Sequence, residues 1–300
     1  MRIVVTGASG FIGARVLAPL RQRGFEVHAV GRRAPAADVV FHHADLFDPA
    51  ETDAALHAAA ATHLLHLAWY AEPGVYWRSA KNLDWVAASL RLIQSFAAAG
   101  GRRAVLAGTC AEYQWGPPRF DEWTAPIAPA TLYGTAKDAL RRLAMSYGET
   151  TLLSVAWARL FFLYGPGEPG GRLVSGAIAS LLAGKPFPTS HGHQRRDYLH
   201  VDDVAGALAA LAGSEVTGPV NVASGMAVPV RSILERVGAE IGRAELIRYG
   251  ALPLSATEPT SIEGDNKRLT DEVGFTPAYQ LEPGIRSALD WWKLHRASID

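Results

Sequence analysis

Short apolar runs alternate along the first half of this chain with stretches in which apolar residues recur at helical spacing. Ile3–Thr6 reads as a buried strand, and Phe11–Arg23 as the following helix, with Ile12, Val16, Leu17 and Leu20 facing the sheet. Glu26–Val30 is a second strand, a short β-branched run after Gly24, and a third lies near Val39–His42. His63–Ala68 is the fourth, followed by a long helix across Lys81–Ala99. Arg103–Gly108 is the fifth strand, Tyr133–Tyr147 a helix and Leu152–Leu160 the next strand. Alanine clusters at 54–61 and 97–99 fit within helical patterns. Strands alternating with helices predict parallel pairing and a doubly wound α/β sheet.

Beyond about Gly165 the pattern changes. Gly, Pro and His cluster in Tyr164–Arg172 and Lys185–Arg195, which are loop signals. Helices recur at Val174–Leu182, Val201–Leu211 and Val230–Ile241. The expected organisation is a main α/β domain over 1–165 and a smaller C-terminal α/β lobe over 166–300, partly interleaved with it.

Composition narrows the class. With 49% hydrophobic and 19% charged residues, the 300 residues can bury a sizeable core. The formal net charge is zero and no basic stripe occurs, which argues against nucleic acid and anionic membranes as partners. No apolar run reaches the length of a membrane span, and the N-terminus enters a strand after two residues, so neither a span nor a signal peptide is expected. The single cysteine, Cys110, allows no internal disulfide and fits a reducing, cytoplasmic setting.

Two motifs carry chemistry. Thr6-Gly7-Ala8-Ser9-Gly10-Phe11-Ile12-Gly13 joins the first strand to the first helix, the shape of a dinucleotide pyrophosphate site. Its glycines follow a G-x-x-G-x-x-G spacing. Downstream, Tyr133-Gly134-Thr135-Ala136-Lys137 puts a phenol and an ammonium on one helix face. A cation beside a tyrosine is expected to lower the phenol's pKa and so ease proton exchange near neutral pH. Where an NAD site usually places an acidic residue, after the second strand, this chain has Gly31-Arg32-Arg33. Two guanidinium groups suit a 2′-phosphate, so NADP is the preferred cofactor, with NAD possible. The alternative is a pair of ordinary surface arginines.

Together, in this order and separation, the motifs resemble the extended branch of the short-chain dehydrogenase/reductase superfamily, the epimerase/dehydratase family acting on nucleotide sugars. The resemblance covers nearly the whole chain. It implies a Rossmann-type sheet, with a glycine turn in which Gly7, Ser9, Gly10, Phe11, Ile12 and Gly13 hold the cofactor. Arg32 and Arg33 would add the 2′-phosphate contact. Asp45 and Leu46 match the position that binds and flanks adenine, although Asp45 also reads as a helix N-cap. His66-Leu67-Ala68 matches the strand-end motif beneath the cofactor, with Leu67 and Ala68 in contact. His66 itself reads more simply as a satisfied core residue. Phe161 is a further expected cofactor contact.

The resemblance gives Tyr133 as general acid and Lys137 on the nicotinamide ribose. Thr109, in Gly108-Thr109-Cys110-Ala111-Glu112-Tyr113, would hydrogen-bond the substrate carbonyl. Sugar 4,6-dehydratases of this type carry at least one acid directly after that Thr. Here Cys110 and Ala111 stand instead, which leaves hydride transfer and one proton transfer, with Glu112 directed away. Substrate contacts are implied for Thr109, Cys110, Phe162, Arg172 and Arg196. Phe162 replaces the Asn of Arg-x-Phe-Asn-x-Tyr-Gly-Pro, Arg196 would pair with a sugar-nucleotide diphosphate, and a second such arginine is missing around Ser255. No metal is expected.

The first functional reading is an NADP-dependent 4-ketoreductase of a nucleotide-activated deoxysugar. The alternative is a nucleotide-sugar 4-epimerase with tightly bound NAD. A non-catalytic dinucleotide sensor is a third reading, but such proteins typically lose Tyr or Lys of the pair. A homodimer through a four-helix bundle is also expected, because Lys81–Ala99 and Tyr133–Tyr147 carry apolar residues on more than one face.

Overall fold

The first strand, β1 (Arg2–Thr6), shows how the molecule is layered: Ile3, Val4 and Val5 are all fully buried, and side-chain alternation sends them to opposite faces. The computed structural model describes residues 1–117, 119–255 and 258–295. After β1 come α1 (Phe11–Gln22), β2 (Glu26–Gly31), β3 (Val40–His43), α2 (Pro49–Ala59) and β4 (His63–His66). Then follow α3 (Lys81–Ala98), β5 (Arg103–Thr109), α4 (Leu132–Thr150), β6 (Ser154–Leu160) and β7 (Phe162–Tyr164). The remainder comprises α5 (Leu173–Leu182), β8 (Phe187–Pro188), β9 (Arg195–His200), α6 (Val201–Ala212) and β10 (Gly218–Val222). The chain closes with β11 (Ala227–Pro229), α7 (Val230–Ile241), β12 (Ile247–Arg248), β13 (Ser261–Ile262) and α8 (Leu281–His295).

The main sheet has seven parallel strands in the order β10-β6-β5-β4-β1-β2-β3, the expected Rossmann-type doubly wound arrangement. Ile3 and Val5 pack with Val16, Leu17 and Leu20 of α1 and with Val204 and Leu208 of α6. Val4, Leu64 and Leu106 pack on the other face with Leu56 of α2, Leu92, Ile93 and Phe96 of α3 and Leu140 of α4. The strand order reverses between β1 and β4, and the crevice beyond their C-terminal ends is where such sheets bind ligands. Thr6 is the last β1 residue paired with β4, opposite His66, so β4 stops two residues short of the expected Ala68. Leu67 and Ala68 instead leave the sheet and line the crevice.

The chain past Gly165 serves both layers. α6 and β10 complete the main sheet and its helix cover. A second core is formed by α5, α7 and α8, through Val174, Ile178, Ile233, Leu234, Ile285 and Trp292, beside a four-stranded sheet centred on β9. Two helices were not set out as elements by the pattern. α2 is capped by Asp48, whose side chain accepts from Ala50 N and Glu51 N. α8 buries Ile285, Ala288, Leu289 and Trp292. Leu152, placed in the sixth strand by its apolar character, is fully exposed and precedes β6. Among the described residues, no helix is long and apolar enough to cross a membrane.

Candidate active site

A cavity of about 530 Å³ lies at the reversal between β1 and β4. Its floor is the glycine turn. Gly7 has φ +72°, and a Cβ there would come within 2.8 Å of Ala68 N. A Cβ on Gly13 would lie 2.0 Å from the Gly7 carbonyl oxygen, so only glycine lets the first turn of α1 sit against the strand end. Gly10 is the N-cap of α1 and supplies no side-chain cap. The first-turn N–H groups therefore face the cavity together with the positive end of the helix, a cradle that fits a dinucleotide's diphosphate. Gly7, Ser9, Gly10, Phe11, Ile12, Gly13, Arg32, Arg33, Asp45, Leu46, Leu67 and Ala68 all line this one cavity.

Arg32 and Arg33 follow β2 directly at the cavity wall. The nearest carboxylate to Arg32 is that of Asp45, with Nη1 and Oδ2 3.9 Å apart and the arginine side chain 68% exposed. Asp45 does not cap α2, a place taken by Asp48; its Oδ1 accepts from Phe47 N at 3.1 Å. His66 is a satisfied core residue, as the simpler reading held. Its ring bonds the Thr6 hydroxyl at 2.6 Å and the Ser89 hydroxyl at 2.8 Å, and burial drives its pKa to about 3. Phe161 does not line the cavity. It is buried among Cys110, Tyr113, Phe120, Ala223 and Ile262, a packing position set by its place between β6 and β7.

Thr109 ends β5, and the sequence after it folds into a tight turn over Cys110–Glu112. The Thr109 side chain accepts from Ala111 N at 3.2 Å, and Glu112 Oε1 accepts from Thr109 N at 2.8 Å, which fixes the hydroxyl. Glu112 points away from the cavity. Its fully buried carboxylate accepts from Trp157 Nε1 at 2.9 Å and from Arg159 Nε at 2.8 Å. Tyr133 sits at the start of α4, whose N-cap Thr131 accepts from Gly134 N at 3.1 Å. A Cβ on Gly134 would lie 2.3 Å from the Ala111 carbonyl oxygen, so this glycine lets α4 close on the turn after Thr109. That approach brings Thr109, Tyr133 and Lys137 to one place.

The electrostatics there differ from the expectation. Burial pushes the Tyr133 phenol above its ordinary value; neighbouring Tyr76 adds to this, and a hydrogen bond with Thr109 opposes it. The Lys137 ammonium is held apart from this balance: Nζ donates to the Ala107 carbonyl at 2.8 Å and stands 3.7 Å from the centre of the Trp69 ring. Burial brings Lys137 itself down to about 7. Burial also raises the Cys110 thiol to about 12, which keeps it protonated.

An aromatic wall was missed by the sequence reading. Tyr76 and Trp77 make edge contacts with Tyr133 at 4.8 and 5.7 Å. Trp69 is anchored by donating from Nε1 to Asn82 Oδ1 at 2.9 Å. The signal was present as bulky aromatics directly after the strand-end His66-Leu67-Ala68 and again after Gly74.

The expected substrate residues divide. Phe162 packs against Tyr198 at 5.5 Å and lies beneath the Arg196 guanidinium at 5.7 Å. Arg196 is buried and already partnered: Nη1 donates to the carbonyls of Arg195 and Pro259, and Nη2 pairs with Glu258. Arg172 lines the main cavity together with the glycine turn. Around Ser255, where the second diphosphate-binding arginine is missing, Ala256 and Thr257 lie outside the described residues.

Residues 3–223 match the model of the NAD dependent epimerase/dehydratase family. The chain is 32% identical over 256 residues to a 3-diazoavenalumate denitrifying reductase of Streptomyces sp, covering 81% of this chain and 82% of that one. It is 25% identical over 271 residues to a dTDP-6-deoxy-L-talose 4-dehydrogenase (NAD(+)) of Aggregatibacter actinomycetemcomitans, covering 88% of this chain and 99% of the relative. Among solved structures, the UDP-glucose 4-epimerase of Thermus thermophilus in complex with NAD is similar with a TM-score of 0.87 and 26% identity, over 98% of this chain and 99% of that one.

Proposed function

The chain belongs to the NAD-dependent epimerase/dehydratase family, and on that premise we propose that it is an NADPH-dependent 4-ketoreductase of a nucleotide-activated deoxysugar, with Tyr133 as general acid. The observation that carries this reading is a phenol held protonated by burial beside the Thr109 hydroxyl, with Lys137 of the same helix stacked on Trp69. Trp69 lines the groove walled by Arg32 and Arg33, whereas Thr109, Tyr133 and Lys137 do not line it themselves. A protonated phenol is the state reduction consumes, because the carbonyl oxygen needs a proton as its carbon is reduced. The bound nicotinamide supplies the hydride. Thr109 hydrogen-bonds the carbonyl oxygen and orients it towards Tyr133. Lys137, fixed by Ala107 and Trp69, would donate to the nicotinamide ribose. Arg32 and Arg33 would hold the 2′-phosphate; β2 itself ends without a carboxylate, and a phosphate there would take Arg32 Nη1 from Asp45, which stands 3.9 Å away.

One relative supports the substrate class: the Aggregatibacter enzyme is named for a dTDP-sugar oxidised at C4 with NAD(+), whereas the Streptomyces relative is named a reductase of 3-diazoavenalumate, which is not a nucleotide sugar. Arg196 would meet the substrate diphosphate by exchanging Glu258 for phosphate oxygens, with Phe162 and Tyr198 flanking it. A second reading is a 4-epimerase with retained NAD, favoured by the similarity to the Thermus epimerase bound to NAD. One experiment separates them: the purified protein is offered NADPH and a nucleotide 4-ketosugar. Stoichiometric consumption of free NADPH supports the reductase. Co-purified NAD, with interconversion of 4-epimers and no net NADPH use, supports the epimerase. We further propose a homodimer through the outer faces of α3 and α4, where Leu83, Ala87, Ala98 and Leu143 are exposed. Light scattering near the 32.1 kDa monomer mass would remove the dimer.

A further inference from the structure

Arg172 stands on the second-lobe side of the cavity, as the N-cap residue of α5, facing the glycine turn across the groove. Its guanidinium forms no hydrogen bond or ion pair among the described residues, and its Nε is buried without a partner. An unsatisfied buried donor on a cation is costly, so such a group is usually completed by a ligand. Its neighbouring carboxylate does not complete it. Glu168 is buried and spends Oε2 on the backbone N–H of Ser175, three residues into α5. The loop that carries Arg172 is also pinned in place. Arg15 of α1 donates from Nη2 to the Pro166 carbonyl at 3.0 Å, and its Nη1 lies 3.5 Å from Asp202 of α6. The loop is therefore tied to the same helix whose first turn floors the groove.

We propose that Arg172 holds the cofactor's diphosphate from the second lobe, opposite the first turn of α1. The proposal rests on the reading of this cavity as the dinucleotide groove. One wall offers uncapped backbone N–H groups and a helix N-terminus, and the other a guanidinium with free donors. A diphosphate between them is satisfied from both sides, and binding ties the two lobes together. The diphosphate is common to NAD and NADP, so this contact does not discriminate between them. That separates it from Arg32, whose assigned ligand is the 2′-phosphate.

The test is equilibrium titration of the whole protein and of Arg172→Met, which keeps the aliphatic stem and removes the charge. The probes are NADPH, NADH, ADP-ribose, 2′-AMP and UDP. Loss of one charge-assisted contact weakens NADPH, NADH and ADP-ribose alike, by about ten- to a hundredfold. Binding of 2′-AMP, which has no diphosphate, stays unchanged. Arg172→Lys restores part of the loss, which guards against a folding defect in the methionine variant. Unchanged ADP-ribose affinity in Arg172→Met overturns the assignment. So does a loss confined to UDP, which gives the guanidinium to the substrate, or an equal loss for 2′-AMP, which makes the effect one of overall groove charge. If the wild-type protein binds neither NADPH nor NADH, the groove reading itself fails along with the proposal, and that result precedes any variant.

Discussion

Glu112 is the residue on which the geometry of Thr109 and the core beneath it both depend. Its carboxylate is completely buried and accepts hydrogen bonds from Thr109 N, Trp157 Nε1 and Arg159 Nε, while Arg141 Nε stands 3.8 Å away. Glu112→Gln keeps the shape and the acceptor but removes the charge opposite Arg159, which is 1% exposed. Leaving a buried guanidinium without its carboxylate costs about 3–5 kcal/mol. At about 2–4 °C per kcal/mol for a domain of this size, the midpoint of thermal unfolding should fall by roughly 6–20 °C. Arg159→Met should cost a similar amount, and the double variant less than the sum, by about 2 kcal/mol or more, because each single change already abolishes the pair. Urea denaturation followed by far-UV circular dichroism reads all three. A loss below about 1 kcal/mol for Glu112→Gln, or strictly additive costs, would refute a charge-paired core under the catalytic turn.

Cofactor choice should move with Arg32: Arg32→Ala is expected to weaken NADPH by about 1.5–3 kcal/mol and leave NADH unchanged, and equal shifts in the two titrations would discard the 2′-phosphate role. Cys110→Ser should keep most of its activity, since the thiol packs among Tyr113, Phe120 and Phe161 and does not line the cavity; a folded, cofactor-binding but inactive variant would reinstate a cysteine mechanism. Burial raises the Glu168 carboxyl to about 7, so the folded protein holds this proton more tightly than the unfolded chain does. The stability it contributes is intact below the ordinary carboxylate range and is lost as pH rises through about 7. Glu168→Gln cannot ionise, so its melting temperature relative to wild type should climb from about pH 5 to about pH 8, and a flat difference would count against the shift.

The sheet and its helices were readable because strands buried on both faces must be apolar throughout, as in Ile3-Val4-Val5, and helices must show one apolar face, as in Val16, Leu17 and Leu20. The glycine turn was readable because a close approach tolerates no Cβ at Gly7 or Gly13. What could not be read was partnership across the chain. Arg196 looked free in sequence, but its carboxylate partner Glu258 lies 62 residues away. Phe161 sits one residue from Phe162, yet one packs into the core and the other faces Arg196, because side chains alternate along an extended segment. The Tyr133–Lys137 spacing showed proximity along the helix, but not that Trp69 and the Ala107 carbonyl would claim the ammonium. α8 was passed over because its apolar positions are interrupted by Asp290 and Lys293 on the exposed side and by Pro283 near its start.

The role of Tyr133 is tested most directly by single-turnover oxidation of NADPH with a nucleotide 4-ketosugar that the wild type reduces. Tyr133→Phe keeps the ring that packs against Tyr76 and Trp77 and removes only the proton. The rate should fall by roughly 10²–10⁴ while NADPH affinity stays within about twofold. A variant that still turns over at about the wild-type rate would show that the proton comes from elsewhere.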